Sequence, residues 1–325
     1  MRDLSALPKA HLHLHLDGAL RPSTYRELAA AAGLPAPLPT SYGSFADFGE
    51  TIMAAARSMR TRDEVGRVVR EIVEDAAAAG ARWVEVSMWP GLFGGRIGTH
   101  DEAIAVVVEA GRAAAAAAGT GFGLVVAANR DRGPAEAVEV ARLAATRAGG
   151  GVVGFGLDGD ETAAPPADFV DAFGIARAAG LLAVPHAGEL SGPSSIRDAL
   201  DLLGADRLMH GVRAVEDPAL VSRLAEGPTS LDVCPTSNVM LSVVLSLSDH
   251  PLPRLLDAGV ACSVNADDPL LFDTDLLREY ERCRDGLKLT DDQLAAVART
   301  SVLASAAPAQ VKEQASAGID AWLAS

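Results

Sequence analysis

The sequence has few residues of several kinds, and each scarcity argues against a class of protein. Only three of its 325 residues are cysteines, with no CxxC pair, which fits a reducing compartment such as the cytoplasm and no disulfide framework. The net charge of −15 argues against a nucleic-acid polymer or an anionic membrane as partner and favours a small ligand. We find no secretion signal and no uninterrupted apolar run of membrane-spanning length.

The most distinctive feature present is a ladder, HLHLHLDG, over residues 11–18. Strict alternation predicts a β-strand with three histidines and Asp17 on one face and leucines on the other. Histidines two apart on a strand lie about 6–7 Å apart at Cα, close enough to converge on one metal ion. The alternative is a chance polar stripe on an exposed strand.

Apolar, strand-like runs alternate with helix-like runs along the whole chain. The pattern predicts an α/β protein, a parallel (β/α)8 TIM barrel that spans residues 1–325 as a single domain. A doubly wound open sheet is the alternative, but no GxGxxG turn follows the first strand. The eight strands are predicted near residues 10–17, 83–89, 122–129, 152–158, 182–188, 207–211, 229–235 and 261–267.

The first connection, from residue 18 to about residue 82, is unusually long. Such length predicts extra helices inserted over a functional face. Its segment 44–60 carries Phe45, Phe48, Ile52 and Met53. These side chains form either an apolar lid over a pocket or ordinary core.

Polar residues cluster at the predicted carboxyl ends of the strands, where the active sites of barrels form. They lie in six motifs between residues 8 and 269: PKAHLHLHLDGA, LDGDE, HAGE, MHGV, CPTSN and NADDP. In this order and spacing the motifs resemble the adenosine deaminase family of zinc amidohydrolases. The resemblance implies one zinc ion per chain, held by His13, His15, His186 and Asp267. Imidazoles and a carboxylate suit zinc, which lowers the pKa of bound water towards ~7.

The resemblance also implies three catalytic residues. Glu189 would donate a proton to N1 of a purine ring and then help ammonia to leave. His210 and Asp268 would orient the attacking water, with His210 as a base or an electrostatic partner. An N-cap role on the following helix is the alternative for Glu189 and Asp268.

Further residues would contact the substrate. Asp268 would also bind N7, and the backbone of Gly159 would bind N3. His15 would contribute to the substrate site as well as to the metal site, and Asp17 would accept a hydrogen bond from a ribose 5′-hydroxyl. Two positions depart from the family pattern. His11 replaces a common acidic residue, and we interpret it as a packed histidine inside the barrel; Met209 replaces a glycine and could change how the next residue is seated.

The implied reaction converts a 6-aminopurine nucleoside, adenosine or 2′-deoxyadenosine, to inosine or 2′-deoxyinosine and ammonia. Aminodeoxyfutalosine, a menaquinone-pathway nucleoside with an aryl carboxylate, is the alternative substrate, and Trp89, Phe93 and Arg96 could bind its extension. Free adenine is less favoured, because the resembling adenine enzymes tend to carry HLEG instead of HLDG. AMP is disfavoured because Asp17 would repel a phosphate.

Two other functional classes are alternatives to a deaminase. Barrel hydrolases with two metal ions often use a carboxylated lysine at the end of strand four, but Lys9, Lys288 and Lys312 are the only lysines. A metal-binding protein without catalysis is disfavoured because the three catalytic residues are intact. We interpret Cys234 as packing and Asn238 as a helix cap, and we assign no role to His100 or His250.

Overall fold

The computed structural model describes residues 2–39 and 41–325. Eight parallel strands lie side by side in chain order and form a nearly closed barrel with helices between them. This is the predicted (β/α)8 architecture, and the doubly wound alternative is wrong. The strands are β1 (Lys9–His11), β2 (Ala81–Met88), β3 (Gly121–Asn129), β4 (Val152–Asp158), β5 (Leu182–Ala187), β6 (Arg207–His210), β7 (Ser230–Val233) and β8 (Cys262–Val264).

Helices cover the outside of the barrel, and in the described residues none is long and apolar enough to cross a membrane. Three of the helices, Arg62–Ala78, His100–Ala118 and Asp291–Ala304, begin at a threonine capping box. The α-helices are α1 (Pro22–Ala32), α2 (Phe45–Ser58), α3 (Arg62–Ala78), α4 (His100–Ala118), α5 (Gly133–Thr146), α6 (Val170–Ala178), α7 (Pro193–Asp198), α8 (Pro218–Glu226), α9 (Pro235–Met240), α10 (Leu252–Asp257), α11 (Pro269–Phe272), α12 (Leu276–Asp285), α13 (Asp291–Ala304) and α14 (Ala309–Ala324).

The first strand is shorter than the ladder predicts. β1 ends at His11, whereas the prediction extended it to residue 17. Leu14 makes an isolated bridge to Asp267, beyond β8, and His15 makes one to Ser87 of β2. Leu16–Gly18 form a 3-10 helix. Asp17 therefore lies on that turn and not on a strand face.

The alternation of side-chain directions in the ladder is interrupted at Leu12 and His13. The amides of Leu12 and His13 both donate to Oδ1 of Asn265, at 2.7 and 3.2 Å. Successive amides of a regular strand point in opposite directions, so one acceptor can serve both only where the strand is kinked. His11 consequently lines a cavity outside the barrel, beside Ile72 of α3. The prediction that His11 points into the barrel is wrong.

The long first connection contains the expected inserted helices. α1 and α2 precede α3, and α2 lies over the carboxyl ends of the strands. Phe48 is buried and stacks on Phe272, with ring centroids 5.3 Å apart. Phe45, Ile52 and Met53 line the cavity beneath α2. The helix thus covers the cavity and also packs against the main hydrophobic core.

A buried ion cluster closes the opposite end of the barrel. Arg207 on β6 reaches across the interior to Glu85 on β2 (2.5 Å) and to Asp232 on β7 (2.8 Å). All three side chains are inaccessible to solvent. A buried charge is costly unless it is paired and hydrogen-bonded, so these three side chains stay together. They fill this end of the barrel, which we call its floor, and leave no room there for a ligand. The carboxyl end of the barrel remains open for a site.

Candidate active site

The four residues predicted to bind metal meet at the carboxyl ends of the strands. His13 and His15 follow β1, His186 lies in β5 and Asp267 follows β8. The His13 ring centroid lies 5.3 Å from that of His15 and 5.0 Å from that of His186. Oδ1 of Asp267 lies 3.2 Å from Nε2 of His13 and 3.3 Å from Nε2 of His15. The four side chains therefore converge on one point.

Backbone carbonyls fix how two of the imidazoles face this point. Nδ1 of His13 lies 3.1 Å from the carbonyl of Asp232, and Nδ1 of His186 lies 3.0 Å from that of Leu157. A carbonyl only accepts, so in the neutral rings Nδ1 carries the proton and Nε2 carries the lone pair. Nε2 of His13 is buried and has no hydrogen-bond partner. A lone pair facing a carboxylate oxygen in this way suits a cation between them.

The electrostatics of the cluster also favour a cation. Burial alone would lower the pKa of His15, but the carboxylates of Asp158 and Asp267 raise it well above its usual value. Burial would raise the pKa of Asp267, but His13 and His15 hold it well below its usual value. Three imidazoles and one carboxylate are a donor set typical of a single zinc ion. The residues present therefore fit such an ion.

Asp158 lies beside two of these histidines, and the sequence analysis gave it no role. Its Oδ1 lies 3.2 Å from Nδ1 of His186, and its Oδ2 lies 3.8 Å from Nδ1 of His15. A carboxylate behind a ligating imidazole orients the ring and raises its basicity. Asp158 could have been found from the sequence, because it lies at the carboxyl end of β4 within the LDGDE motif.

Cys234 lies behind His13 and not at the convergence point. Its Sγ is 3.3 Å from Nδ1 of His13, the nitrogen that faces away from Asp267. Burial raises the pKa of the thiol well above its usual value, which keeps it protonated. This geometry agrees with the packing interpretation.

Glu189 and Asp268 each direct an unpaired oxygen into the same region. Oε1 of Glu189 and Oδ1 of Asp268 are buried without a hydrogen-bond partner. Burial and the neighbouring Asp267 raise the pKa of both carboxyls well above their usual values. Glu189 is not an N-cap, since α7 has Gly192 in that position, and the N-cap alternative is wrong for it. Asp268 occupies the N-cap position of α11, but its side chain makes no capping hydrogen bond.

The loop that carries Glu189 is held by a second glutamate. The carboxylate of Glu161 accepts hydrogen bonds from the four successive amides of residues 188–191, at 2.6–2.9 Å. The hydroxyl of Ser195 donates to it as well, at 2.5 Å. The converging amides form an anion-binding nest that only a sharply turned loop can make, and Gly188 supplies the turn with φ of 80°. Glu161 was missed as a functional residue.

His210 ends β6 with a left-handed backbone, φ 68°, which is rare outside glycine. Its Nε2 lies 3.4 Å from Oε1 of Glu189 and 3.7 Å from Oδ2 of Asp267. Its Nδ1 lies 3.1 Å from Nδ2 of Asn238, so Asn238 is not the helix cap that we expected. Met209 packs in the barrel core against Val125 and Val184.

The residues predicted to bind substrate surround a cavity of about 850 Å3. The carboxylate of Asp17 lines it, and no other described residue donates a hydrogen bond to that carboxylate. Burial raises the pKa of Asp17 to about 6, although His15 opposes the shift. Gly159 also lines the cavity with φ of 91°, and a Cβ there would lie 2.9 Å from Oδ1 of Asn129. Only glycine lets the chain run along this wall.

The predicted distal contacts are partly wrong. Trp89 lines the cavity, as expected. Phe93 is fully buried in the core, and the guanidinium of Arg96 is occupied by backbone carbonyls, including those of Ala56 and Leu92. Among the described residues, Arg57 at the end of α2 is the one basic side chain that lines the cavity.

The comparisons with known proteins agree on one family. A family model described as adenosine deaminase matches residues 8–322. A putative adenosine/adenine deaminase of Streptomyces coelicolor is 44% identical, covering 99% of this chain and 98% of its own. An aminodeoxyfutalosine deaminase of Streptomyces avermitilis is 36% identical, covering 99% and 94%.

Solved structures give the same result. The crystal structure of an adenine deaminase from Arthrobacter aurescens superposes with a TM-score of 0.91 at 31% identity, covering 98% of this chain and 99% of that one. A zinc-bound amidohydrolase from Burkholderia ambifaria superposes with a TM-score of 0.85 at 28% identity, covering 99% and 94%.

Proposed function

Because this chain belongs to the adenosine deaminase family and is a deaminase of adenosine- or adenine-type substrates, we propose that it hydrolyses a 6-aminopurine nucleoside, adenosine or 2′-deoxyadenosine. Water adds at C6, the amino group leaves as ammonia, and a 6-oxopurine nucleoside remains. The observation that carries the proposal is the convergence of the His13, His15, His186 and Asp267 cluster with two protonatable carboxyls in one cavity. We include a cytoplasmic location, which the few cysteines favour.

The four converging residues would hold one zinc ion. When bound, that ion acts as a Lewis acid that makes water nucleophilic at neutral pH. The imidazoles contribute nitrogen ligands that the Asp232 and Leu157 carbonyls orient. Asp267 contributes an ionised carboxylate, as its lowered pKa requires.

Protonated carboxyls give the site the donors that a purine needs. N1, N3 and N7 of a 6-aminopurine are all acceptors, so ionised carboxylates would repel them. Burial and Asp267 raise the pKa of Glu189 and Asp268, which favours their protonated forms, and a protonated carboxyl donates. Glu189 would then protonate N1 and make C6 electrophilic, while Asp268 binds N7 and the amide of Gly159 binds N3. His210 would hold the attacking water.

A nucleoside fits the cavity better than the free base. The unpartnered carboxylate of Asp17 is suited to accept a hydrogen bond from a ribose 5′-hydroxyl. A 5′-phosphate would meet this carboxylate and be repelled, so AMP is disfavoured. The cavity of about 850 Å3 falls near the upper end of ligand pockets and extends under α2, well beyond what a base alone requires.

One observation favours a second candidate substrate. Arg57 lines the part of the cavity under α2 and makes no ion pair with any described residue, and Trp89 lines the same cavity. A cation and an aromatic surface suit an aryl carboxylate attached beyond the ribose. Aminodeoxyfutalosine has this group and is the alternative substrate; adenine, which has neither ribose nor carboxylate, is the third.

The decisive experiment is a kcat/KM panel on the zinc-loaded protein with adenosine, 2′-deoxyadenosine, adenine, AMP and aminodeoxyfutalosine, measured as ammonia release. We expect the two adenine nucleosides to lead the panel. A lead of tenfold or more for aminodeoxyfutalosine or adenine would replace the proposed substrate. In a parallel arm the metal is removed by a chelator and zinc is restored. Ammonia release that survives metal removal would contradict the metal-dependent reaction itself.

A further inference from the structure

The catalytic use of His210 depends on which of its nitrogens carries the proton. Nε2 faces the reacting region, where Glu189 Oε1 and Asp267 Oδ2 lie at 3.4 and 3.7 Å. If Nε2 holds a lone pair, the ring can accept a proton from water. If Nε2 holds the proton, the ring can only donate a hydrogen bond. The sequence left both roles open.

A chain of hydrogen bonds behind the ring decides between them, and it starts at a backbone amide. The N–H of Leu252, at the start of α10, lies 3.1 Å from Nδ1 of His250. An amide can only donate, so Nδ1 of His250 holds the lone pair. Burial lowers the pKa of His250 to about 4, so the ring is neutral and its proton is on Nε2.

The next link is Asn238, whose orientation this proton determines. Nε2 of His250 lies 3.1 Å from the side-chain amide of Asn238. Since this nitrogen donates, the amide must present its oxygen, Oδ1, on that side. The NH2 group of Asn238 then faces Nδ1 of His210, at 3.1 Å. An NH2 group only donates, so Nδ1 of His210 must hold a lone pair.

We propose that Asn238 and His250 are positioning residues that hold His210 in the tautomer with its proton on Nε2. His210 then presents a donor to the attacking oxygen and does not take a proton from it. Neither positioning residue lines the cavity, so both act through His210. The relay is nearly closed to solvent, because the three side chains are at most 3% exposed. The catalytic consequence rests on the proposed function, but the tautomer does not.

The direct test is nuclear magnetic resonance of the zinc-loaded, 15N-histidine-labelled protein, in which the two ring nitrogens of a neutral histidine have different shifts. Spectra of the His210→Gln and His250→Gln variants assign the two rings by difference. We expect both histidines to carry the proton on Nε2 alone. A proton on Nδ1 of His210 in the wild-type protein would overturn the proposal.

Asn238→Asp reverses the last link while keeping the shape of the side chain. A carboxylate still accepts from Nε2 of His250 but offers only acceptors to His210. We expect Nδ1 of His210 to become protonated, with the His250 spectrum unchanged. We also expect kcat to fall about 10²–10⁴-fold, with KM changed less than threefold because Asn238 does not touch the cavity. A wild-type kcat in a variant whose Nε2 has lost its proton would contradict the positioning role.

His250→Phe removes the anchor and frees Asn238 to rotate. We expect His210 to populate both tautomers and kcat to fall in proportion to the lost fraction of the Nε2-protonated form. His100→Phe is the matched control, because His100 is exposed at the start of α4, and it should keep the wild-type spectrum and kinetics. An unchanged His210 spectrum in His250→Phe would contradict the relay. If the wild-type protein deaminates no purine, the proposed function fails while the spectrum still decides the tautomer.

Discussion

Nε2 of His13 lies 3.2 Å from Oδ1 of Asp267, across the junction where the barrel closes. The same junction carries two backbone hydrogen bonds, from the Asp267 amide to the carbonyl of His13 and from the His15 amide to the carbonyl of Asp267. Three of the four converging side chains are thus fixed by barrel closure itself. Formation of the candidate metal site and closure of the barrel are one structural event.

Glu189→Gln tests whether Glu189 is the proton donor. Glutamine keeps the size of the side chain but cannot deliver a proton to N1, so we expect kcat to fall about 10²–10⁴-fold. Zinc content, measured by atomic emission, should stay at one ion per chain. Glu226→Gln, at the exposed end of α8, is the matched control. A near-normal kcat in Glu189→Gln would refute the role.

Asp17→Ala tests whether Asp17 binds the 5′-hydroxyl. A hydrogen bond to a charged group contributes about 1.5–3 kcal/mol, so kcat/KM for adenosine should fall roughly 10–150-fold. For 5′-deoxyadenosine, which lacks the hydroxyl, it should fall less than about threefold. Comparing both substrates on both proteins isolates the pairwise interaction. Equal losses would show that Asp17 does not bind this hydroxyl.

The barrel could be predicted because its strands and helices alternate regularly, and the converging residues because six motifs resemble those of the adenosine deaminase family. Strand alternation gave the eight β/α units, and active sites of barrels lie at the carboxyl ends of strands. The ladder misled at His11, because the kink at Leu12 and His13 depends on Asn265, whose contact with β1 exists only after the barrel closes. The local alternation of polar and apolar residues cannot predict a hydrogen bond to a residue so distant in sequence.

The functional residues that the sequence analysis missed were missed for the same reason, namely that they act through distant contacts. Glu161 acts through the amides of a loop that begins at residue 188, and His250 acts through Asn238. Each makes contacts with segments that are distant in sequence or with backbone groups that carry no sequence signature. Arg57, and not Arg96, lines the cavity because backbone carbonyls of Ala56 and Leu92 hold the guanidinium of Arg96, and composition does not reveal those contacts.

His11→Asn tests the corrected geometry of the ladder. His11 faces a separate cavity of about 560 Å3, and its Nε2 accepts from the amide of Ala266 at 3.2 Å. Zinc content should therefore stay at one ion per chain. Unfolding free energy should fall by about 1–3 kcal/mol, since a buried amide loses its partner. His13→Asn is the matched comparison and should lose stoichiometric zinc. Equal zinc loss in both variants would show that His11 is also a ligand.

Arg207→Met tests the ion cluster that closes the floor of the barrel. The substitution leaves the buried carboxylates of Glu85 and Asp232 without their common cation, so we expect the free energy of unfolding to fall by about 3–5 kcal/mol. The backbone carbonyl of Asp232 also orients His13, so zinc affinity should fall with stability. Denaturant titration measures the first quantity, and competition with a chromogenic chelator measures the second.

The control for that substitution is Arg299→Met, which removes the same side chain from a surface pair. Arg299 contacts Asp320 at 2.6 Å, where the aspartate is 70% exposed. Solvent screens such a pair, and its loss should cost at most about 1 kcal/mol. A cost for Arg207→Met no larger than that of the control would mean that the carboxylates find other partners or become protonated. The floor would then contribute nothing to the rigidity of the site above it.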